Sequence, residues 1–270
     1  MSSDRKQSTE VARPVAFVTG ASYGVGAATA LAFARAAYDV IVTARRRENL
    51  DATLATLEQA NCRAMAVEML LSDDASIESA FQSALSAHGR IDVLVNNAAV
   101  NLRRLAVDVS RDEWRDVMAA NVSGPFFMTQ LMGRHLIASR RQGAVVNVAS
   151  THGLVGAAER STYGISKGAM IQMTRMLAIE WAEHGIRVNA VAPGRMETAS
   201  PSRAGTGANA DYMAAMLARI PLHRLVTAEE VADAIVYLGG PAAASITGHV
   251  LVMDGGLTAV GWGSKLRRAD

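Results

Sequence analysis

The chain has 270 residues, half of them hydrophobic, which is enough to bury a full core, and a formal net charge of only +2. Basic residues are scattered apart from 45–47, 103–104 and the tail LRRAD, and aromatics are 5% of the chain, a pattern that argues against a nucleic-acid partner. Cys62 is the only cysteine, so an intrachain disulfide and a cysteine-based metal cluster are both excluded, and no bound metal is expected.

Residues 1–13 are polar and read as a loose tail without the apolar core of a signal peptide. Nowhere does the chain approach the roughly 18 consecutive apolar residues of a membrane span. The expectation is a soluble, cytoplasmic protein with no membrane partner. Between residues 14 and 260 there is no linker, repeat or low-complexity block, so a single domain is expected there, with residues 261–270 as a second tail.

Taken in chain order, short apolar runs alternate with longer segments of helical period. Strands are predicted near 15–19, 40–43, 64–69, 93–96, 144–149, 187–191 and 250–253. Helices are predicted at about 25–36, 47–60, 74–88, 111–139, 162–183 and 228–239. Strand and helix in alternation point to an α/β fold, a Rossmann-like doubly wound parallel sheet of about seven strands with helices on both faces. Ligands of such sheets bind beyond the carboxyl ends of the strands. The polar stretches of this sequence fall there: TGASYGVG (19–26) after the first strand, Arg45 after the second, NNAA (96–99) at the fourth, Ser150 after the fifth, and Pro193 with Gly194 at the sixth.

TGASYGVG places Gly20, Gly24 and Gly26 where a strand turns into a helix. A helix N-terminus carries unpaired N–H groups and positive potential, and it holds a phosphate well if backbone and ligand approach closely. Gly20 would permit the tight turn, while Gly24 and Gly26 would let a pyrophosphate and the neighbouring strand come near. Close packing alone is the other reading of the same glycines.

In STYGISKGAM, Tyr163 and Lys167 stand four apart on a predicted helix and share one face, with small and apolar residues around them. A phenol of ordinary pKa near 10 is a poor base at neutrality, and a neighbouring ammonium favours the phenolate. Tyr163 could then exchange a proton with a substrate alcohol or carbonyl oxygen. Ser150, thirteen residues earlier at the end of VVNVAS, could hydrogen-bond that oxygen, or serve as a helix cap.

Together these motifs resemble the short-chain dehydrogenase/reductase family in its form of about 250 residues, similar to 3-oxoacyl-[acyl-carrier-protein] reductases and sugar or alcohol dehydrogenases. TGASYGVG resembles its TGxxxGxG, NNAA its NNAG, and Ser150, Tyr163 and Lys167 its catalytic serine and YxxxK. Asn121 in AANVSGPF matches the asparagine completing the tetrad, RVNAVAPGRMET the nicotinamide-holding segment, and ITGHVLVMDGG the last strand. The resemblance implies an NAD(P)-dependent oxidoreductase that interconverts a carbonyl and a secondary alcohol by hydride transfer. Tyr163 would be the acid/base, Lys167 would lower its pKa and hold the ribose, Ser150 would orient the substrate oxygen, and Asn121 would keep a relay water. The cofactor would lie against Gly20, Ser22, Tyr23, Gly24, Val25, Gly26, Arg45, Asn97, Ala98, Tyr163, Lys167, Pro193, Gly194, Met196 and Thr198. The resemblance also implies a homo-oligomer, tetramer or dimer, built through the long helices near 111–139 and 162–183 and the last strand. Two positions depart from the family pattern: Ala99 replaces its glycine, and Leu70 stands where many relatives carry an adenine-binding aspartate.

The second strand ends VIVTARRR, without the carboxylate near Ala44 that would hydrogen-bond a ribose 2′-OH. Arg45 is placed to pair with a 2′-phosphate, so NADP(H) is favoured over NAD(H); a solvated helix start is the alternative reading of 45–47. The segment from Arg195 to about Leu222 reads as a mobile lid over a small-molecule carbonyl or alcohol substrate, with His152 and Arg103–Arg104 near the expected mouth. Ketone or 3-oxoacyl reduction is the expected activity. The competing classes are a non-catalytic dinucleotide-binding sensor or scaffold, and an isomerase using tightly held cofactor.

Overall fold

A computed structural model of the chain describes residues 13–196 and 210–260. Seven strands form one sheet: β1 (Val15–Val18), β2 (Asp39–Ala44), β3 (Ala64–Glu68), β4 (Val93–Asn96), β5 (Gly143–Val148), β6 (Ile186–Pro193) and β7 (Val250–Met253). Their order is β3-β2-β1-β4-β5-β6-β7, and every neighbouring pair is parallel. β1, β2, β4 and most of β5 and β6 are buried on both faces, which is why they read as unbroken apolar runs.

The described helices are α1 (Gly24–Arg35), α2 (Asp51–Gln59), α3 (Asp74–His88), α4 (Arg111–Met118), α5 (Gly124–Ala138), α6 (Ser161–Glu180), α7 (Ala210–Leu217) and α8 (Ala228–Gly239). One core layer packs Phe33 of α1, Leu57 of α2 and Ile235 of α8 against Val18, Val42 and Val146. The other packs Phe81 of α3, Met128 and Leu136 of α5, and Leu177 of α6 against Phe17, Ile41 and Leu94. Alternate residues of the same strands feed opposite layers, as the two-residue strand period requires. Among the described residues, no helix is long and apolar enough to cross a membrane.

Four features depart from the predicted elements. The expected helix at 47–60 begins as a tight 3₁₀ turn, Arg47–Leu50, before α2. The expected helix at 111–139 is interrupted by a widened π-type turn, Ala119–Ser123, which holds Asn121. The expected helix at 162–183 ends at Glu180 and is followed by a second 3₁₀ turn, Ala182–His184. Within the expected lid lies a helix, α7, that the Gly- and Ser-rich sequence before it obscured; residues 197–209, including Thr198, fall outside the described residues.

Candidate active site

All seven strands run the same way, so the loops after β1, β2, β4, β5 and β6 emerge on one edge. The strand order reverses between β1 and β4, which opens a crevice there. The Thr19 hydroxyl stitches this switch point: it donates to the Val95 carbonyl (3.2 Å) and accepts from the backbone N–H groups of Asn97 (3.0 Å) and Ala98 (3.1 Å). The Asn97 amide donates to the carbonyls of Thr19 and Gly20, each at 2.9 Å.

The three glycines of the turn do different work. Gly20 lies at φ +67°, and a Cβ there would stand 2.7 Å from Ala98. A Cβ on Gly26 would lie 2.2 Å from the Gly20 carbonyl and 2.6 Å from the Asn97 amide, so this glycine is required by packing inside the protein. Gly24 lies at φ +59°, and a Cβ there would meet nothing within 4 Å. Close packing, one reading of the motif, is therefore realised at Gly26, while Gly24 presents an open face.

The start of α1 is bare in a second sense. Tyr23, its N-cap residue, is extended, half exposed and makes no side-chain capping bond, and the first turn carries no acidic residue. By contrast α3 is capped by Asp73, α4 by a reciprocal Ser110–Glu113 box and α8 by a Thr227–Glu230 box. The α1 terminus thus offers its N–H groups and positive end to an anion from outside the chain. Ser22 and Val25 flank Gly24 in this turn, and Val25 is partly packed on the core. This uncapped cradle with open space at Gly24 fits a dinucleotide pyrophosphate.

Arg45 follows β2 on the same edge, is exposed, and takes part in no ion pair among the described residues. Of its neighbours, Arg46 pairs with Glu48 at 4.0 Å, and the backbone N–H of Arg47 donates to the Glu68 carboxylate (3.3 Å). Leu70 is exposed, its N–H bound by the Ser76 hydroxyl (3.0 Å), and Ala99 is exposed on the loop after β4.

On the other side of the crevice, α6 brings Tyr163 and Lys167 together. Lys167 is 1% exposed, its Nζ donates to the Val148 carbonyl at 2.7 Å, and it sits 5.7 Å from the centre of the Tyr163 ring. Among the described residues no carboxylate accompanies it, and burial drives its pKa down from 10.5 to about 8. Ser150, just after β5, is buried; its Oγ accepts the His152 backbone N–H (3.2 Å) as the cap of a short turn, the helix-cap reading of this serine. The His152 ring meets the Tyr163 ring edge-on at 6.0 Å.

Asn121 is fully buried, and its side chain is well occupied. Oδ1 accepts the Val100 N–H (2.7 Å), and Nδ2 donates to the Val100 carbonyl (2.9 Å) and to the Ser166 hydroxyl (3.0 Å). The residue latches the loop after β4 to α6. Pro193 ends β6, Gly194 donates its N–H to the Met253 carbonyl (2.8 Å), and Met196 bridges Val226. The mouth arginines are engaged: Arg103 with Glu159, Arg104 with Glu113 at 2.8 Å, and Arg160 with Asn101.

A polar ladder beneath the site escaped the sequence reading. The Asn96 amide donates to Asn147 and Thr129, both at 2.8 Å, and the Asn147 amide donates to Thr174 at 2.9 Å. It ties β4 and β5 to α5 and α6 directly below Val148 and Lys167. The available signal was an asparagine inside each of two apolar strands, VLVNN and VVNVAS, where a buried amide must find partners.

A family model described as enoyl-(acyl carrier protein) reductase matches residues 20–258. The 3-oxoacyl-[acyl-carrier-protein] reductase of Thermotoga maritima is 36% identical over 243 residues, 90% of this chain and 97% of its own length. A solved structure from Sinorhizobium meliloti 1021, described as a short-chain alcohol dehydrogenase, superposes with a TM-score of 0.88 at 38% identity, covering 92% of this chain and 98% of that one. The gluconate 5-dehydrogenase of Burkholderia cenocepacia J2315, solved with NADP and tartrate, gives a TM-score of 0.86 at 26% identity over 93% and 97% of the two chains. These names are of reductases and dehydrogenases, and they lend the non-catalytic sensor reading no support.

Proposed function

The chain belongs to the short-chain dehydrogenase/reductase family and is an oxidoreductase of alcohol and carbonyl groups; on that premise we propose that it works as an NADPH-dependent reductase of a ketone or 3-oxoacyl substrate. The observation that carries the reading is Lys167, a buried ammonium with no carboxylate partner among the described residues, one helical turn from Tyr163. A cation kept at that cost of desolvation has a chemical use.

When bound, NADPH supplies the hydride that reduces the carbonyl carbon. The chain's own part is to hold and to protonate. Gly24 and the uncapped start of α1 would receive the pyrophosphate, with Ser22, Tyr23 and Val25 around it; Asn97 and Ala98 would border the adenosine side and Pro193, Gly194 and Met196 the nicotinamide side, a role the family resemblance also gives Thr198. Arg45, exposed after a strand end that lacks a carboxylate, would pair with a 2′-phosphate. The NADP of the Burkholderia dehydrogenase supports this preference by analogy. Ser150 donates a hydrogen bond to the carbonyl oxygen, and Tyr163 delivers to that oxygen the single proton it gains as the alcohol forms. Lys167 stabilises the phenolate left on Tyr163 and would hydrogen-bond the ribose through its remaining N–H groups. Asn121, whose side chain latches Val100 to α6, ties the widened turn to Ser166, the residue before the lysine; the relay water is assigned to this turn.

The homo-oligomer is part of the same reading. α5 and α6 expose Phe126, Phe127, Met176 and Ile179, the last 78% exposed, and a second copy would cover this apolar face. Cytoplasm is the proposed compartment, where NADPH is at hand.

The experiment is the initial rate of NADPH and NADH oxidation by the purified protein across ketones, 3-oxoacyl thioesters, keto-sugars and quinones. A Tyr163-dependent rate on one class, faster with NADPH, is expected. Tight NADPH binding without turnover on any class would sink the reading.

A further inference from the structure

We propose that His152 is a positioning residue: it sets the direction of the Ser150 hydroxyl and so biases the site between a bound carbonyl and a bound alcohol. This rests on the oxidoreductase reading above.

A hydroxyl has one proton and two lone pairs. One lone pair of Ser150 is already taken by the His152 backbone N–H at 3.2 Å, and the imidazole Nδ1 of the same residue stands 3.3 Å from Oγ. If the ring proton sits on Nδ1, the ring donates to Oγ and fills the second lone pair. Ser150 can then only donate, which is what a carbonyl oxygen accepts. If the proton sits on Nε2, Nδ1 accepts the serine proton, and Oγ keeps a lone pair for the O–H of an alcohol. The ring tautomer is thus a donor–acceptor switch one bond from the substrate oxygen.

The switch is built in place. A Cβ on Gly153 would come within 2.7 Å of the Lys167 backbone, and one on Gly164 within 2.8 Å of the His152 carbonyl, so two glycines press this turn onto α6. The imidazole is thereby held against the helix that carries Tyr163, with ring centres 6.0 Å apart. The charged and titratable groups around it are Tyr163 and Lys167 on α6, Arg160 just before α6 and Arg195 just after β6. Burial, then Arg160, then Arg195 hold its pKa below 6.5, which keeps both neutral tautomers accessible at neutral pH.

The test measures kcat and KM in both directions, with NADPH affinity, for wild type, His152→Ala, His152→Asn, His152→Gln, Ser150→Ala and the Ser150→Ala/His152→Ala double variant. Loss of one aligned hydrogen bond should lower kcat/KM about tenfold in His152→Ala, by the same factor for reduction and oxidation because a catalyst leaves the equilibrium fixed, with cofactor affinity little changed. His152→Asn, whose amide falls near the Nδ1 position, should recover most of it, and His152→Gln should not. In the Ser150→Ala background, His152→Ala should cost nothing further. The ratio of carbonyl KM to alcohol KM should move in His152→Ala, since the ring no longer sets the direction of the Ser150 hydroxyl. An equal loss in both backgrounds, or an unmoved ratio of carbonyl KM to alcohol KM, overturns the proposal.

A second measurement does not depend on turnover. Imidazole nitrogen resonances of the intact protein should show the His152 tautomer ratio and titration moving on Ser150→Ala, and no movement overturns the proposal. Absence of wild-type turnover on every carbonyl would defeat the reductase reading, while the spectra would still decide the coupling.

Discussion

The two sides of the crevice are built on opposite physical terms. The β1–α1 side is made of absence: missing Cβ atoms at Gly20 and Gly26, and a missing cap at the start of α1. The β5–α6 side is made of buried polarity, with Lys167, Asn121, Ser150 and the Asn96–Asn147–Thr174 ladder all withdrawn from water. One half fails when something is added, and the other when a charge or partner is removed.

The sharpest way to break that contrast is Tyr163→Phe, which leaves the ring and removes the proton. A loss in kcat of about 10³-fold is expected, in the range of a single acid/base group, with NADPH affinity kept in a fluorescence titration. Retained turnover would remove the β5–α6 side from the chemistry.

Two glycine variants on the other side should separate stability from binding. Gly26→Ala puts a methyl 2.2 Å from the Gly20 carbonyl, and thermal unfolding should report a loss of about 3 kcal/mol or outright misfolding. Gly24→Ala meets no atom within 4 Å and costs only about 1–2 kcal/mol of left-handed strain. Its main effect should be weaker cofactor binding. Equal behaviour of the two would mean that the open face at Gly24 has no ligand.

Arg45→Ala tests the third part of the edge. A charge-assisted contact to a phosphate is worth about 1.5–3 kcal/mol, so NADPH affinity should fall roughly 10- to 100-fold with NADH little affected. Equal losses for the two cofactors would return residues 45–47 to a solvated helix start.

The smallest expected effect is a gain. Burial holds Lys167 at a pKa of about 8 against 10.5 in the open chain, so the folded state binds this proton less tightly than the unfolded state. Stability therefore rises as pH climbs from about 8 to 10.5, and below that window the buried charge costs roughly 3 kcal/mol. Lys167→Met removes the charge but strands the Val148 carbonyl, a loss of about 1–3 kcal/mol. A net gain of about 1 kcal/mol at pH 7, with activity lost, is expected in paired melting and rate measurements. A stability loss would mean that the cation has a stabilising partner.

Much of the fold was legible because its signals are local. The apolar runs at 15–18, 93–96 and 145–148 mark buried parallel strands, and the helix predicted at 74–88 matches α3, whose Asp73 cap and Gly89 end are written in the chain. The π-type turn at Ala119–Ser123 was not legible, since AANVS is compatible with a continuous helix and only packing around Asn121 widens it. α7 was hidden for the converse reason: its short apolar stretch follows a Gly- and Ser-rich segment that reads as loop.

The sequence by itself determined the alternation of strands and helices, the glycine turn and the Tyr163–Lys167 pairing. Each rests on spacing along the chain, and strand and helix periods turn spacing directly into a shared face. Only the tertiary structure decided that Gly26 serves packing while Gly24 faces open space, that Asn121 is a latch, and that His152 reaches the Ser150 hydroxyl. Those facts depend on distances between segments far apart in the chain and on exclusion of water around them. A hydroxyl's direction and an amine's pKa are set by neighbours that no local pattern names.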